Sequence, residues 1–271
     1  MIILPVKYSI SKILFNGKMY RFLLFIIFIF STASFSYSQG RETFGAYEDT
    51  LKKFALIIKQ SQDERLRYEA NEKFVDILDE VLHIKKSFDY PFDSLNNLVA
   101  RLNSPDNRFR IFNWVIAKSD ETFDYYAVMQ LYNESKKNYD VIFFKDKSDE
   151  IAVPESQTLT PDQWYGALYY KIIHTNSQNV DYYTLLGWNA NNALSYQKII
   201  EVVNIRSGNR VFLGAPIFRY GKEKPKRIIF EYSSKAIMNL KYDTQQYKEK
   251  KKLKKPIKGK WFEVVNVKSD M

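Results

Sequence analysis

The chain contains no cysteine among its 271 residues. That excludes disulfide stapling, thiol nucleophiles and the lipid-accepting cysteine of a bacterial lipoprotein. Histidine is nearly as scarce. His83 and His174 lie far apart in the sequence, and neither has a second histidine three or four residues away. No zinc-ligand set can be drawn from them. Only nine glycines are present, and none forms a phosphate-cradling loop or a Gly-x-Ser-x-Gly elbow. The alternating Asp and Asn of a calcium loop are missing too, and Lys145–Glu150 reads as a charged loop. No metal and no cofactor is expected.

What the chain has is aromatic residues and excess positive charge. There are 20 tyrosines and 20 phenylalanines, and the formal net charge is +10. Residues 1–40 hold Lys7, Lys12, Lys18 and Arg21 with no acid, and residues 244–271 hold nine lysines against three acids. Those two segments account for the whole excess, so 41–243 is charge-balanced. Lysine runs this dense repel and resist compaction. Such a tail suits solvent or an anionic lipid or polysaccharide surface. It lacks the arginine forks and aromatic interleaving that read bases, which disfavours nucleic acid.

Phe22–Phe30 is an unbroken apolar run of nine residues, preceded by Arg21 and followed by the small, weakly polar stretch 31–38. This order predicts a secretory signal from Met19 to Ser38, with 1–18 an upstream extension. A spanning helix needs roughly 20 apolar residues, so no transmembrane anchor is expected in the mature chain. The expected location is periplasmic or secreted.

The predicted fold class is α+β, with an N-terminal helical hairpin followed by a mainly antiparallel, aromatic-rich β domain carrying one or two inserted helices. The expected organisation is 1–38 for the extension and signal, 39–105 for a helical region, 106–243 for the β-rich domain and 244–271 for a lysine-rich tail. Apolar residues recur at threes and fours over 42–60 and 62–86, with Ser61 and Glu64 at capping-box spacing. His83 beside that stripe reads as half-buried packing. Pro91 predicts a short helix through Val99. Strand-like runs at 110–117, 123–132 and 138–144, with short polar links, predict an antiparallel meander. Thr160-Pro-Asp-Gln163 predicts a helix start, with Trp164, Leu168, Tyr169 and Ile172 on that helix. Gly187–Asn192 reads as a turn, 194–204 fits helix or strand, and 211–219, 226–232 and 236–242 read as strands.

No residue set identifies a catalytic site, and enzyme or non-enzyme stays open. His174 fits either a base or a helix-end cap. Asp124, Asp181, Glu201 and Glu231 lie in apolar strand-like runs, and carboxylate chemistry needs two of them facing one cleft. The strongest local signal is Gly187-Trp-Asn-Ala-Asn-Asn192. An indole face beside amides suits a sugar, and equally suits a tight turn. Trp188, Asn189, Asn191 and Asn192 are therefore the candidate binding residues.

Four segments, Asp181–Asn192, Gln197–Val203, Arg227–Ser233 and Met238–Asp243, together resemble an uncharacterised family of secreted proteins from Bacteroidetes-type bacteria. The resemblance spans roughly 40–250. It implies export and carries over no functional residue. Members of that family continue into further strand-like sequence, from which the lysine-rich end departs. The expected function is a non-catalytic cell-envelope role in binding or assembly. Its partner would be an envelope glycan, a peptide or another envelope protein. The alternative is a carboxylate-dependent hydrolase acting on envelope glycans or peptides.

Overall fold

A computed structural model describes residues 44–219, 221–247 and 257–269. The segment expected to be a signal, 19–38, and the lysine run 248–256 lie outside the described residues. The chain divides into two units, Met1–Ala46 and Tyr47–Met271. Of the first, 44–46 are helical. Everything below concerns the second.

Helix α1 covers 47–60 and α2 covers Glu64–His83. Leu51, Ala55 and Ile58 are buried at helical spacing on α1; Phe74, Leu78, Val81 and Leu82 are buried on α2. The three-residue break and the buried stripes give the expected hairpin. The cap differs from the capping box. Asp63 is the N-cap, accepting from the N–H groups of Arg65 and Leu66, while Ser61 Oγ accepts from Asp63 N–H. A carboxylate one residue ahead of the helix meets the free N–H groups at their positive end. His83 is exposed on the last turn, bonded to the Asp79 carbonyl. Past Pro91 only a single 3-10 turn forms, Asp93–Leu95.

Strands β1 (Ala100–Asn103), β2 (Phe109–Ala117), β3 (Phe123–Asn133) and β4 (Asn138–Lys145) form an antiparallel meander in that order. β2 is buried along nearly its whole length because both of its faces are covered. Phe112 and Trp114 meet the helical layer through Phe92 and Phe74, and the Trp114 indole donates to Asn71 at 2.7 Å. Phe109 and Ile111 face the second sheet.

That sheet holds β5 (Leu168–Ser177), β6 (Val180–Asn189), β7 (Ser195–Arg206), β8 (Arg210–Leu213) and β9 (Ile228–Ser233), all pairings antiparallel. The far edge of β7 is shared. Ser195–Ile200 pairs with β9, and Val203–Arg206 pairs with β8. The main core lies between the two sheets, where Phe109, Met129, Tyr169, Tyr183, Ile199 and Leu213 pack together. On the outer face Leu240, from β10 (Ala236–Tyr247), packs on Ile173, Leu186 and Ile200. β10 pairs antiparallel with β11 (Ile257–Ser269), so the strands flanking the lysine run are partners.

The helix expected from Thr160 is a single 3-10 turn, Pro161–Gln163, followed by β5. After position 106 the described residues hold only such short turns, not inserted helices. The misreading has a physical cause. The β5–β6 register slips between Tyr169 and Lys171, so a bulge at Tyr170 puts Tyr169 and Ile172 on the same buried face three residues apart. That spacing imitates a helix. Likewise Gly187, Trp188 and Asn189 belong to strand β6, and the turn begins after them. The segment from Ser195 onward is strand β7. The strand expected over 211–219 ends at Leu213.

Candidate functional site

At one end of the sandwich a cleft of about 680 Å³ opens between the β2–β3 turn, the end of β4 with its following loop, and the turn after β6. Its floor is aromatic: Tyr125, Phe144 and Tyr165 are buried there, and Phe123 and Tyr126 are half-buried at its walls. Its rim carries Asp120, Asp124, Asp146, Asp149 and Glu150 interleaved with Lys118, Lys145 and Lys147.

Internal hydrogen bonds fix this arrangement. Asp146 Oδ1 accepts from Ser148 N–H at 3.0 Å, Ser148 Oγ–H at 2.6 Å and Gly166 N–H at 3.2 Å. Residue 166 is glycine for want of space: a Cβ there would lie 2.4 Å from Asp146 Oδ2. The Gly166 carbonyl accepts from Asn189 Nδ2 at 2.6 Å, and Asn189 Oδ1 accepts from Asn191 N–H at 2.5 Å. The Tyr125 hydroxyl accepts from Ala190 N–H at 2.6 Å, which leaves its own proton to donate. The Tyr165 hydroxyl donates to Gln197 Oε1 at 2.8 Å.

Burial raises the phenol pKa of Tyr125 and Tyr165, and that of Tyr126 to about 12. All three are therefore neutral donors at physiological pH. Hydrogen bonds from the Thr122 side chain and N–H hold the Asp120 carboxyl below its usual range. The lysines are engaged: Lys118 with Asp124 at 3.6 Å, Lys145 with Asp162 at 2.8 Å and Lys147 with Glu150 at 2.6 Å. Among the described residues no group of three or more His, Asp or Glu could hold a metal ion.

Asn189 and Asn191 line the cleft. Asn189 is buried and spends its amide on the Gly166 carbonyl and the Asn191 N–H. Asn192 Oδ1 caps the next turn by accepting from Leu194 and Ser195 N–H. Trp188 packs edge-on against Phe123 and Tyr196, with ring centroids at 5.8 and 5.5 Å. The four strand acids are not brought together. Asp124 sits on the cleft rim, accepting from Tyr68 at 2.7 Å. Asp181 bonds His174 Nε2 at 2.9 Å, placing His174 mid-strand rather than at a helix end. Glu201 is fully buried against Arg227, and Glu231 accepts from Ser195 Oγ at 2.6 Å.

Sequence reading missed Tyr125, Phe144, Asp146 and Tyr165. One signal was available: Asp146-Lys-Ser148 has the spacing of an Asp side chain bonding the backbone two residues on. Comparison with known proteins finds no family model, no curated protein and no solved structure that matches this chain.

Proposed function

We propose that this is an exported cell-envelope protein whose cleft binds a neutral, hydroxyl-rich ligand, an envelope glycan, without turning it over. The supporting observation is the composition of the cleft. The half-buried rings of Phe123 and Tyr126 on its walls could meet the apolar side of a pyranose, and carboxylates, amides and tyrosine hydroxyls ring it as acceptors and donors. Both charge signs alternate on the rim. A polyanion would meet five carboxylates and a polycation three lysines, whereas a neutral polar ligand meets neither penalty.

The test is calorimetric titration of the purified mature chain with β-1,4-linked N-acetylglucosamine disaccharide. Saturable binding is expected. Asp146→Asn is expected to weaken it about tenfold, the value of one charge-assisted hydrogen bond. No binding of saccharide, with saturable binding of a lysine-rich peptide instead, would sink the reading. Shortened saccharides in the mixture would replace it with carboxylate-dependent hydrolysis. Export is tested by N-terminal sequencing of the protein from the source cell's envelope fraction. A product starting at Gln39 is expected, and retention of Met19 refutes cleavage.

A further inference from the structure

Three residues lining the cleft keep hydrogen-bonding capacity that no other described residue uses. The Tyr125 side chain is 6% exposed, and its hydroxyl oxygen accepts from Ala190 N–H at 2.6 Å. The hydroxyl proton itself has no acceptor among the described residues. Burial raises the Tyr125 pKa, so that proton stays in place at physiological pH. Asn189 is 5% exposed, and its Nδ2 carries two protons. The Gly166 carbonyl takes one of them at 2.6 Å, and the other has no acceptor among the described residues. Asp146 collects all three of its hydrogen bonds on Oδ1, leaving Oδ2 with none among the described residues.

The two donors lie together and the acceptor lies apart from them. Tyr125 reaches from β3 to the end of β6, where Ala190 N–H holds its oxygen next to Asn189. Asp146 follows β4 and grips Gly166 by its N–H, while Asn189 grips the same glycine by its carbonyl. Gly166 therefore stands between the acceptor and the donors. Buried donors are nearly always paired, so two beside one cleft point to an acceptor brought from outside the chain. A ligand amide suits this order. Its oxygen takes two donors, and its N–H, on a different atom and pointing the other way, meets a carboxylate. A sugar hydroxyl has to serve both sides from one oxygen. A ligand carboxylate would face Asp146, and an ammonium has no lone pair for Tyr125 or Asn189.

We propose that Tyr125, Asn189 and Asp146 select a sugar bearing an acetamido group, so that the cleft takes an N-acetylated glycan rather than a plain glucan. The acetamido oxygen accepts from Tyr125 and Asn189, and the acetamido N–H donates to Asp146 Oδ2. This rests on the reading of the cleft as a glycan site and names the sugar class it takes. Tyr125 then determines specificity, because its hydroxyl meets a group that a glucan lacks.

The test compares two β-1,4-linked disaccharides by calorimetry, one of N-acetylglucosamine and one of glucose, which differ only in the acetamido group. Wild type is expected to bind the N-acetylated one about tenfold or more tighter. Tyr125→Phe keeps the ring and removes the donor, and should narrow that preference to within about threefold. The same change unpairs Ala190 N–H, so a spectroscopic readout accompanies it. With an isotope-labelled acetyl carbonyl, the infrared band of the bound ligand should move to lower frequency in wild type and move less in Tyr125→Phe. Equal affinity of wild type for both disaccharides, or binding of the glucose one alone, overturns the acetamido site and leaves the cleft standing. A preference undiminished in Tyr125→Phe, or a carbonyl band that does not move on binding, overturns the assignment to these residues. Binding of N-acetylglycine N-methylamide as tightly as the N-acetylated disaccharide overturns the sugar and makes the ligand a peptide. Failure of both disaccharides to bind overturns the cleft reading and this one with it.

Discussion

Glu201 and Arg227 form an ion pair with 0% exposure on either side chain, and breaking it should be among the costliest single changes in the fold. Arg227 Nε donates to Glu201 Oε2 at 2.6 Å, and its Nη1 donates to the Pro154 carbonyl. Glu201 Oε1 accepts from Val202 N–H at 3.0 Å. Burial pushes the Glu201 carboxyl upward, and the facing guanidinium opposes that push. Arg227 Nη2 has no partner, so the guanidinium has little left once its carboxylate goes. Glu201→Ala strands a buried cation and unpairs Val202 N–H, which should cost about 3–5 kcal/mol. For a domain of this size that lowers Tm by on the order of 10 °C. Urea unfolding of Glu201→Ala, Arg227→Met and the double variant gives the coupling directly. The double variant removes both charges and should be clearly more stable than Glu201→Ala alone, because desolvating a lone ion is the dominant cost. Additive losses, or a Glu201→Ala cost below about 1 kcal/mol, would show that the two charges are solvated rather than paired in the interior.

Arg110 is buried without a carboxylate, donating to Gln130 Oε1 and to the Tyr90 and Ser87 carbonyls beneath the rings of Phe88, Phe92 and Phe112. Burial lowers its pKa to about 9, so it stays charged at neutral pH. Arg110→Met should cost on the order of 3 kcal/mol in urea unfolding. Arg110→Lys should recover less than half, because an ammonium cannot span three acceptors. Gly166→Ala should displace the Asp146 carboxylate and cost about 1–3 kcal/mol. In an Asp146→Ala background the same glycine change should cost little, and an undiminished cost would mean the clash lies elsewhere. The Asp181 carboxyl is held below its usual range by the Asn176 amide and then by His174. Between the folded pKa and about 3.9 the unfolded chain binds more protons, so this stability is present above about pH 4 and is lost as pH falls through the folded value. Asp181→Asn should flatten the acid limb of the stability curve, and an unchanged slope refutes the assignment.

The sequence revealed elements whose burial is one-sided. Leu51, Ala55 and Ile58 mark α1, and the short polar links after Ala117 and Asn133 mark the meander. It misled where backbone irregularity rewrote the period. The bulge at Tyr170 made a strand look helical, and Gly187 within β6 looked like a turn because glycine usually is one. Here Gly187 lies against the Tyr169 ring, 2.9 Å from where its Cβ would be. The cleft was legible only at Asp124, Asn189 and Asn191. Its other residues come from 118–126, 144–150 and 165, each an ordinary polar turn or strand end on its own. Nothing local marks them as neighbours, because their proximity exists only once the two sheets have stacked.

That stacking is where the buried polar groups concentrate. Apolar contact between layers is non-directional, so the cores alone would tolerate sliding of one layer on the next. Directional bonds at each junction remove that freedom. Arg110 ties β2 to the segment after α2, through the Ser87 and Tyr90 carbonyls. Asn113 Oδ1 of β2 accepts from Tyr169 N–H of β5 at 2.7 Å, joining the two sheets at the residue beside the bulge. Arg227 anchors the start of β9 to β7 and holds the Pro154 carbonyl of the loop that follows the cleft wall. An apolar substitute at any of these positions could fill the volume without fixing the offset. The cleft needs that offset, since Asp146, Gly166 and Asn189 form one hydrogen-bonded chain only at a single alignment of β4, β6 and the connection between the sheets.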